Sequence, residues 1–284
     1  MPPSGVPPTA RQRRLGRELR RLREQTDMTA TEAGVFLGAS QARMSSIEAG
    51  RYAVSADRVR ALAHHYSCTD QELIEALAAM TGGRTRGWWE EYREILPLHM
   101  LDLAELEHHA IAFRIASMLV VPGLLQTTEY ARAIFAACEP RFPPPEVEHR
   151  VSHRIKRQAV LYGERPHPLT VILHEAALRL GAGGPAVMRA QLEHLMDMSE
   201  RDDITLLVIP FGAGALPNSG QSIVYIAGAL QQLDTVQLDT DHGQELVDAE
   251  AKLANYRIIL DRMESSALKP NESRSLIHSI AREL

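Results

Sequence analysis

Residues 28 to 50 read MTATEAGVFLGASQARMSSIEAG, and their spacing decides how the first part of the chain folds. Two short amphipathic runs, Thr31 to Leu37 and Gln41 to Ala49, are separated only by Gly38-Ala39-Ser40. Gly38 can take the left-handed backbone that ends one helix, and Ser40 offers its hydroxyl to cap the next. The stretch is therefore a tight corner between two helices. At about 100° per residue, Met44 and Ile47 share one face of the second helix and Ala42 lies nearly opposite them. Ser45 and Ser46 flank Ala42, while Gln41 and Arg43 project sideways.

That outer face is small and polar, and its one acid, Glu48, sits at the far end. A solvated helix usually carries Glu and Lys there. A helix that must lie against base edges in a ~12 Å groove tolerates neither bulk nor negative charge. The pattern fits the second helix of a helix-turn-helix, with an ordinary helical hairpin as the alternative.

Charge is divided along the chain. The whole protein of 284 residues carries a net −5, which by itself disfavours a nucleic-acid partner. Residues 1 to 68, however, hold 11 Arg and no Lys against six acids, a net +5 that leaves −10 for the remainder. A basic head on an acidic body is what phosphate contact by one domain requires. The length implies two domains. No apolar run is long enough to span a membrane, and MPPSGVPPTARQRR lacks the apolar stretch of a signal peptide, so a cytoplasmic protein is expected. Cys68 and Cys138 have no metal-ligand spacing and read as reduced, structural residues.

Residues 1–10, with four prolines, read as a disordered tail. Arg11 to Gln25 is helical, with Leu15, Leu19 and Leu22 on one stripe and Arg17, Arg20, Arg21 and Arg23 around the outside. Thr29 caps the second helix and Ser40 the third. Arg51-Tyr52-Ala53-Val54 is a loop whose arginine can reach phosphate. Ser55 caps a fourth helix with Val59, Leu62, Ala63 and Tyr66 inward. Thr69 caps a fifth with Leu73, Ile74, Leu77 and Met80 inward. Five short helices over 11–81 make an independent bundle.

Over this span the chain resembles XRE-type, lambda-repressor-like helix-turn-helix domains, and LGASQARMSSIEAGR is similar to their third helix and following loop. The resemblance implies that Gln41, Ala42 and Ser46 face bases, that Arg43 and Arg51 lie near the DNA backbone, and that Arg23 forms a buried pair with Glu48. Two positions depart from that pattern: Ala30 stands where such domains commonly have Gln, and Ala33-Gly34 where Leu-Ala usually packs the corner. Only Gln41 and Arg43 remain able to make bidentate contacts, to adenine and guanine, so direct readout is expected to be sparse. The candidate DNA contacts are Thr29, Thr31, Ser40, Gln41, Ala42, Arg43, Ser45, Ser46 and Arg51.

Gly-rich residues 82–87 read as a linker. The second domain, 88–284, opens with Trp88-Trp89, read either as the anchor of the linker or, with Phe211, as the lining of a regulatory pocket. Helical periodicity runs through Leu101 to His109, Thr127 to Cys138, Pro143 to Tyr162, Pro185 to Glu200, Asp248 to Ser265 and Pro270 to Glu283. Ile111 to Val121 is β-prone, and Leu169 to Leu173, Ile204 to Ile209, Ser222 to Ile226 and Thr235 to Leu238 are short strands. The expected fold class is α+β: a five-helix bundle, then a larger α+β domain with a small sheet covered by helices.

The strings GWWEEY, VVPGLLQTTEYARAI, RQAVL, PAVMRAQLEHL, ITLLVIPFGAGA and NESRSLIHSIAREL resemble the regulatory domain of actinobacterial regulators of the WhiJ or Scr antitoxin-like kind. The resemblance implies a transcriptional regulator, often encoded with a small partner protein, and it brings no catalytic residues. Tests for chemistry point the same way. His149 and His153 lack a third metal ligand, and a solvated face is the simpler reading. His174-Glu175 lacks the second His of a zinc protease motif, and the run from Gly181 to Pro185 lacks the Lys of a phosphate loop. No catalysis, cofactor or metal is expected. Double-stranded DNA is the expected partner, read by a homodimer. Regulation by a small neighbouring-gene protein or a small-molecule effector is compatible with the body. The competing reading is an antitoxin-like module that sequesters its small partner and binds DNA only for autoregulation.

Overall fold

The computed structural model describes residues 7–81, 87–163, 166–217, 220–240 and 243–284. The chain divides into two compact units between Glu90 and Glu91. The first six residues of the expected tail and residues 82–86 of the expected linker lie outside the described residues.

The first unit is all helical: α1 (Ala10–Glu24), α2 (Ala30–Phe36), α3 (Gln41–Glu48), α4 (Ala56–His65) and α5 (Gln71–Ala79). Each helix begins where a short polar side chain accepts a backbone N–H: Thr9, Thr29, Ser40, Ser55 and Asp70. Such a cap is worth about 1 kcal/mol. Thr9 and Thr29 form reciprocal capping boxes with Gln12 and Glu32. Two positions correct the sequence expectation. Structure begins inside the expected tail, because Thr9 caps α1. The fifth helix is capped by Asp70, which accepts from Leu73 N at 3.0 Å, and not by Thr69. Adjacent cap-competent residues are not separable by pattern, and the carboxylate is favoured at a positive helix end.

The bundle core is formed by Leu19, Met44, Ile47, Leu62, Ile74 and Leu77, all nearly inaccessible. Two glycines set how closely α1 meets α3. A Cβ on Gly16 would lie 2.4 Å from the Glu48 carbonyl oxygen. Gly50, at φ +71°, sits against Gln12 and Arg13, where a Cβ would come within 2.8 Å of backbone. Backbone meets backbone at this contact.

After a 3₁₀ turn, Trp88–Tyr92, the second unit runs α6 (Leu98–His108), β1 (Ala112–Ser117), α7 (Thr128–Ala136), α8 (Pro144–Arg157), β2 (Leu169–His174), α9 (Glu175–Arg179), α10 (Pro185–Met198), β3 (Ile204–Ile209), β4 (Ile223–Ala227), β5 (Thr235–Thr240), β6 (Gly243–Val247), α11 (Glu250–Ser265) and α12 (Pro270–Glu283). Among the described residues six strands form one mixed sheet in the order β3-β2-β1-β4-β5-β6. β1, β2 and β3 are parallel, and β4, β5 and β6 are added antiparallel. The fold is α+β.

Alternation along the strands loads both faces of the sheet. Val171, Leu173, Leu206 and Val208 join one core with Leu192, Leu195, Ile277 and Ile280 of α10 and α12. Ile172, Leu207 and Ile209 point the other way, into a core with Leu253, Leu260 and Met263 of α11. β6 and α9 were not expected from sequence. β6, GQELV, is a polar edge strand buried only at Val247, so it lacks an apolar alternation. His149 and His153 correct the solvated-face reading: His149 is exposed, but His153 is fully buried beside the Tyr92 ring, 5.2 Å between centroids.

Candidate nucleic-acid interface

The corner between α2 and α3 is made by local chemistry. Gly38, at φ +63°, ends α2, and Ala39 N donates to Gly34 O at 2.8 Å to close the turn. Gly34 is buried, and a Cβ there would lie 2.9 Å from the Ala39 carbonyl oxygen. The glycine that departs from the usual corner therefore lets α2 and its turn close tightly. Ser40 Oγ accepts from Arg43 N at 3.2 Å and starts α3.

α3 is held from beneath by Met44 and Ile47, and its exit is fixed by an ion pair. Arg23 of α1 donates from Nε and Nη2 to the two oxygens of Glu48 at 2.6 and 3.0 Å, and from Nη1 to Met28 O at 2.6 Å. Both side chains are buried. The Glu48 hydrogen bond raises the Arg23 pKa above its ordinary value. One guanidinium thus joins α1, the segment before α2 and the end of α3, and places Glu48 away from the outer face.

On that outer face Thr29, Thr31, Ser40, Gln41, Ala42, Arg43 and Arg51 are exposed, and Ser45 and Ser46 are partly so. Gln41 Nε2 reaches Ser45 Oγ at 3.4 Å. Ser46 Oγ donates to Ala42 O at 2.9 Å, which turns its hydroxyl onto its own helix. Arg43 leans sideways: Nη2 donates to Tyr52 OH at 2.6 Å and the guanidinium lies 4.2 Å from the Tyr52 ring centre. Arg51 N and Tyr52 N both donate to Ser46 O, so the loop carrying Arg51 is fastened to α3.

Two residues that the pattern did not single out shape this face. Tyr52 positions Arg43, and its only sequence signal is an aromatic in the loop after α3. Glu32 accepts from Thr29 N and Thr29 Oγ1, each at 2.7 Å, and the Thr29 backbone bond holds its carboxyl below the usual range. Thr29 is thereby occupied by its own cap, and Glu32 sets a fixed negative charge beside Thr29 and Thr31.

The residues read as a regulatory pocket, Trp88, Trp89 and Phe211, fall in different units. The two indoles meet edge to face at 5.9 Å and fall in the first unit, while Phe211 is exposed in the turn after β3, in the second unit. None of the three lines either of two cavities within the second unit. His174 caps α9 by accepting from Ala176 N, and Glu175 accepts from Phe211 N, so that dipeptide is structural. Among the described residues no three His, Cys, Asp or Glu side chains group as metal ligands. No described helix is long and apolar enough to cross a membrane.

Residues 14–77 match a family model described as a helix-turn-helix domain. Residues 100–279 match the model of a family described as a domain of unknown function, DUF5753. No curated protein and no solved structure matches the chain. The helix-turn-helix domain marks a DNA-binding regulator in general terms.

Proposed function

Because the chain belongs to the DUF5753 family and carries a helix-turn-helix domain, we propose that it is a sequence-specific transcriptional regulator that lays α3 in the major groove. The single observation carrying this reading is the exposed outer face of α3, small and acid-free, rimmed by Gln41 and Arg43 and fixed from behind by Arg23 and Glu48. Gln41 is the base reader, with Ala42 against a thymine methyl. Arg43, held against Tyr52 in the loop that also carries Arg51, meets the phosphate backbone.

The finer assignment belongs to the same proposal. The head is XRE-type, and the body is a regulatory domain of the actinobacterial WhiJ or Scr antitoxin-like kind, supported by the ordered strings quoted above. The body pairs two heads and answers to a partner protein or a small molecule, and no catalytic step is involved. Pairing is motivated by the few base-reading side chains on one head, which select too little sequence alone. Footprinting of the full-length protein on the DNA upstream of its own gene tests the reading. Protection by the wild type, weakened in Gln41→Ala, supports it. Unchanged protection by both Gln41→Ala and Arg43→Ala removes α3 from the interface.

A further inference from the structure

The second unit holds a cavity of about 270 Å³ whose wall is unusually rich in arginine. α8 contributes Arg150, Arg154 and Arg157 to it, and two carboxylates, Glu107 and Asp239, also line it. Two of the three arginines are matched. Arg157 donates to both oxygens of Glu107 at 2.7 and 2.5 Å, and Arg150 donates to Glu146 at 3.0 and 2.7 Å. Arg154 is not. Its Nη1 donates to the neutral Gln126 Oε1 at 2.7 Å, its guanidinium lies 4.4 Å from the Phe135 ring centre, and its buried Nε has no acceptor among the described residues.

Gln244, on the same wall, has a buried Nε2 that is likewise without an acceptor among the described residues. A buried donor left unmatched is costly, and the Asp239 and Glu107 carboxylates offset the Arg154 charge through space without a hydrogen bond to it. Two such donors on one cavity call for an acceptor that carries negative charge. Met100, Leu103, Ile115 and Val224 give part of the wall an apolar surface, beside the polar His99, Ser117, Ser222 and Gln237. Asp239, exposed at the end of β5 and bonded to Gln237 Nε2, disfavours a dianion.

We propose that this cavity binds a small organic monoanion, a carboxylate on a compact apolar body, with Arg154 as its charge partner and Gln244 as a second donor. The site deepens the regulatory role given to the body. Binding itself does not depend on the DNA reading, and the two fail separately.

The test titrates full-length protein with benzoate, phenylacetate and hexanoate, using benzamide as the neutral isostere. At least one carboxylate is expected to raise the melting temperature saturably and to shift the Arg154 Nε–H resonance, while benzamide does neither. Arg154→Met should weaken binding at least tenfold, and Arg154→Lys should retain part of it. Equal responses to benzamide, no response to any of the three acids, or full binding by a folded Arg154→Met variant overturns the proposal. If Arg154→Met fails to fold, an Arg154 resonance unmoved by the acids in the wild type overturns it.

Discussion

Gln41 and Arg43 stand two residues apart on one helix, yet the proposed function gives them different tasks. Gln41 is exposed at the start of α3 with one long contact to Ser45, so its amide is free to turn to a base edge. Arg43 is aimed by the Tyr52 hydroxyl and ring toward the loop that carries Arg51. A lost base contact costs roughly 1–3 kcal/mol for one sequence and leaves salt dependence unchanged, whereas a lost phosphate contact weakens all sequences and reduces the salt slope by about 1. Gln41→Ala should therefore reduce discrimination between operator and random DNA at an unchanged slope, and Arg43→Ala should lower the slope. Binding isotherms on both DNAs over a range of salt concentrations check this. The opposite pattern exchanges the two roles.

A second residue-scale expectation concerns His153. Burial, reinforced by Arg157, Arg154 and Arg150, pushes its pKa down to about 3, from the 6.5 of an exposed imidazole. A folded-state pKa below the unfolded one means that the neutral ring adds stability above pH ~6.5, and that this is lost as pH falls. Between pH 6.5 and 5 the loss is roughly 2 kcal/mol for one such group. His153→Phe, which keeps an aromatic beside Tyr92, should remove that part of the acid sensitivity. Urea midpoints of wild type and variant at pH 7 and pH 5 give the comparison. Parallel losses in the two proteins would mean that His153 already titrates normally.

At the scale of elements, legibility followed the reach of the signal. The five helices of the head announce themselves by caps and stripes a few residues long, and Thr29, Ser40 and Ser55 start helices where the pattern puts them. Pro185 and Pro270 likewise open α10 and α12. The site was partly legible for the same reason: α3 shows its polar face within eight residues. What stayed hidden depends on contacts distant in sequence. β6 is a strand only because β5 pairs with it, and His153 is buried by what packs around α8, whereas its neighbours Arg154 and Lys156 look solvated in the string. Gly16 is the clearest case. Nothing local distinguishes it from a mild helix breaker, but its missing side chain lets α1 sit on the Glu48 carbonyl. Gly16→Ala should raise intrinsic helix propensity and still destabilise the head, by about 1–3 kcal/mol, because the added carbon meets backbone that cannot rotate away. Far-UV circular dichroism during urea unfolding of the full chain should show an earlier first transition and weaker operator binding. A variant as stable as wild type would show that α1 and α3 have slack at that contact.

For the whole molecule, the division of charge and the sparseness of the recognition helix bear on the same question. The first unit, residues 1 to 90, carries net +3, concentrated as +5 over residues 1 to 68, and is drawn to duplex phosphates, while the second unit, net −8, is repelled by them. Non-specific attachment is thus confined to one unit, and selection must come from readout. One α3 offers a single amide and one methyl-sized contact to bases, which distinguishes few base pairs. A pair of heads, as proposed, would double the readout, and helix-turn-helix dimers in general bind half-sites one helical turn apart, about 34–36 Å. The full-length protein should therefore sediment as a dimer at the concentrations that protect an operator. Its footprint should show two half-sites with dyad symmetry, and inserting five base pairs between them, about half a turn, should abolish tight binding while leaving the salt-dependent background. A monomer that protects one uninterrupted site and tolerates the insertion would leave the second unit without a pairing role, and would require more base contacts from α3 than Gln41 and Ala42 supply.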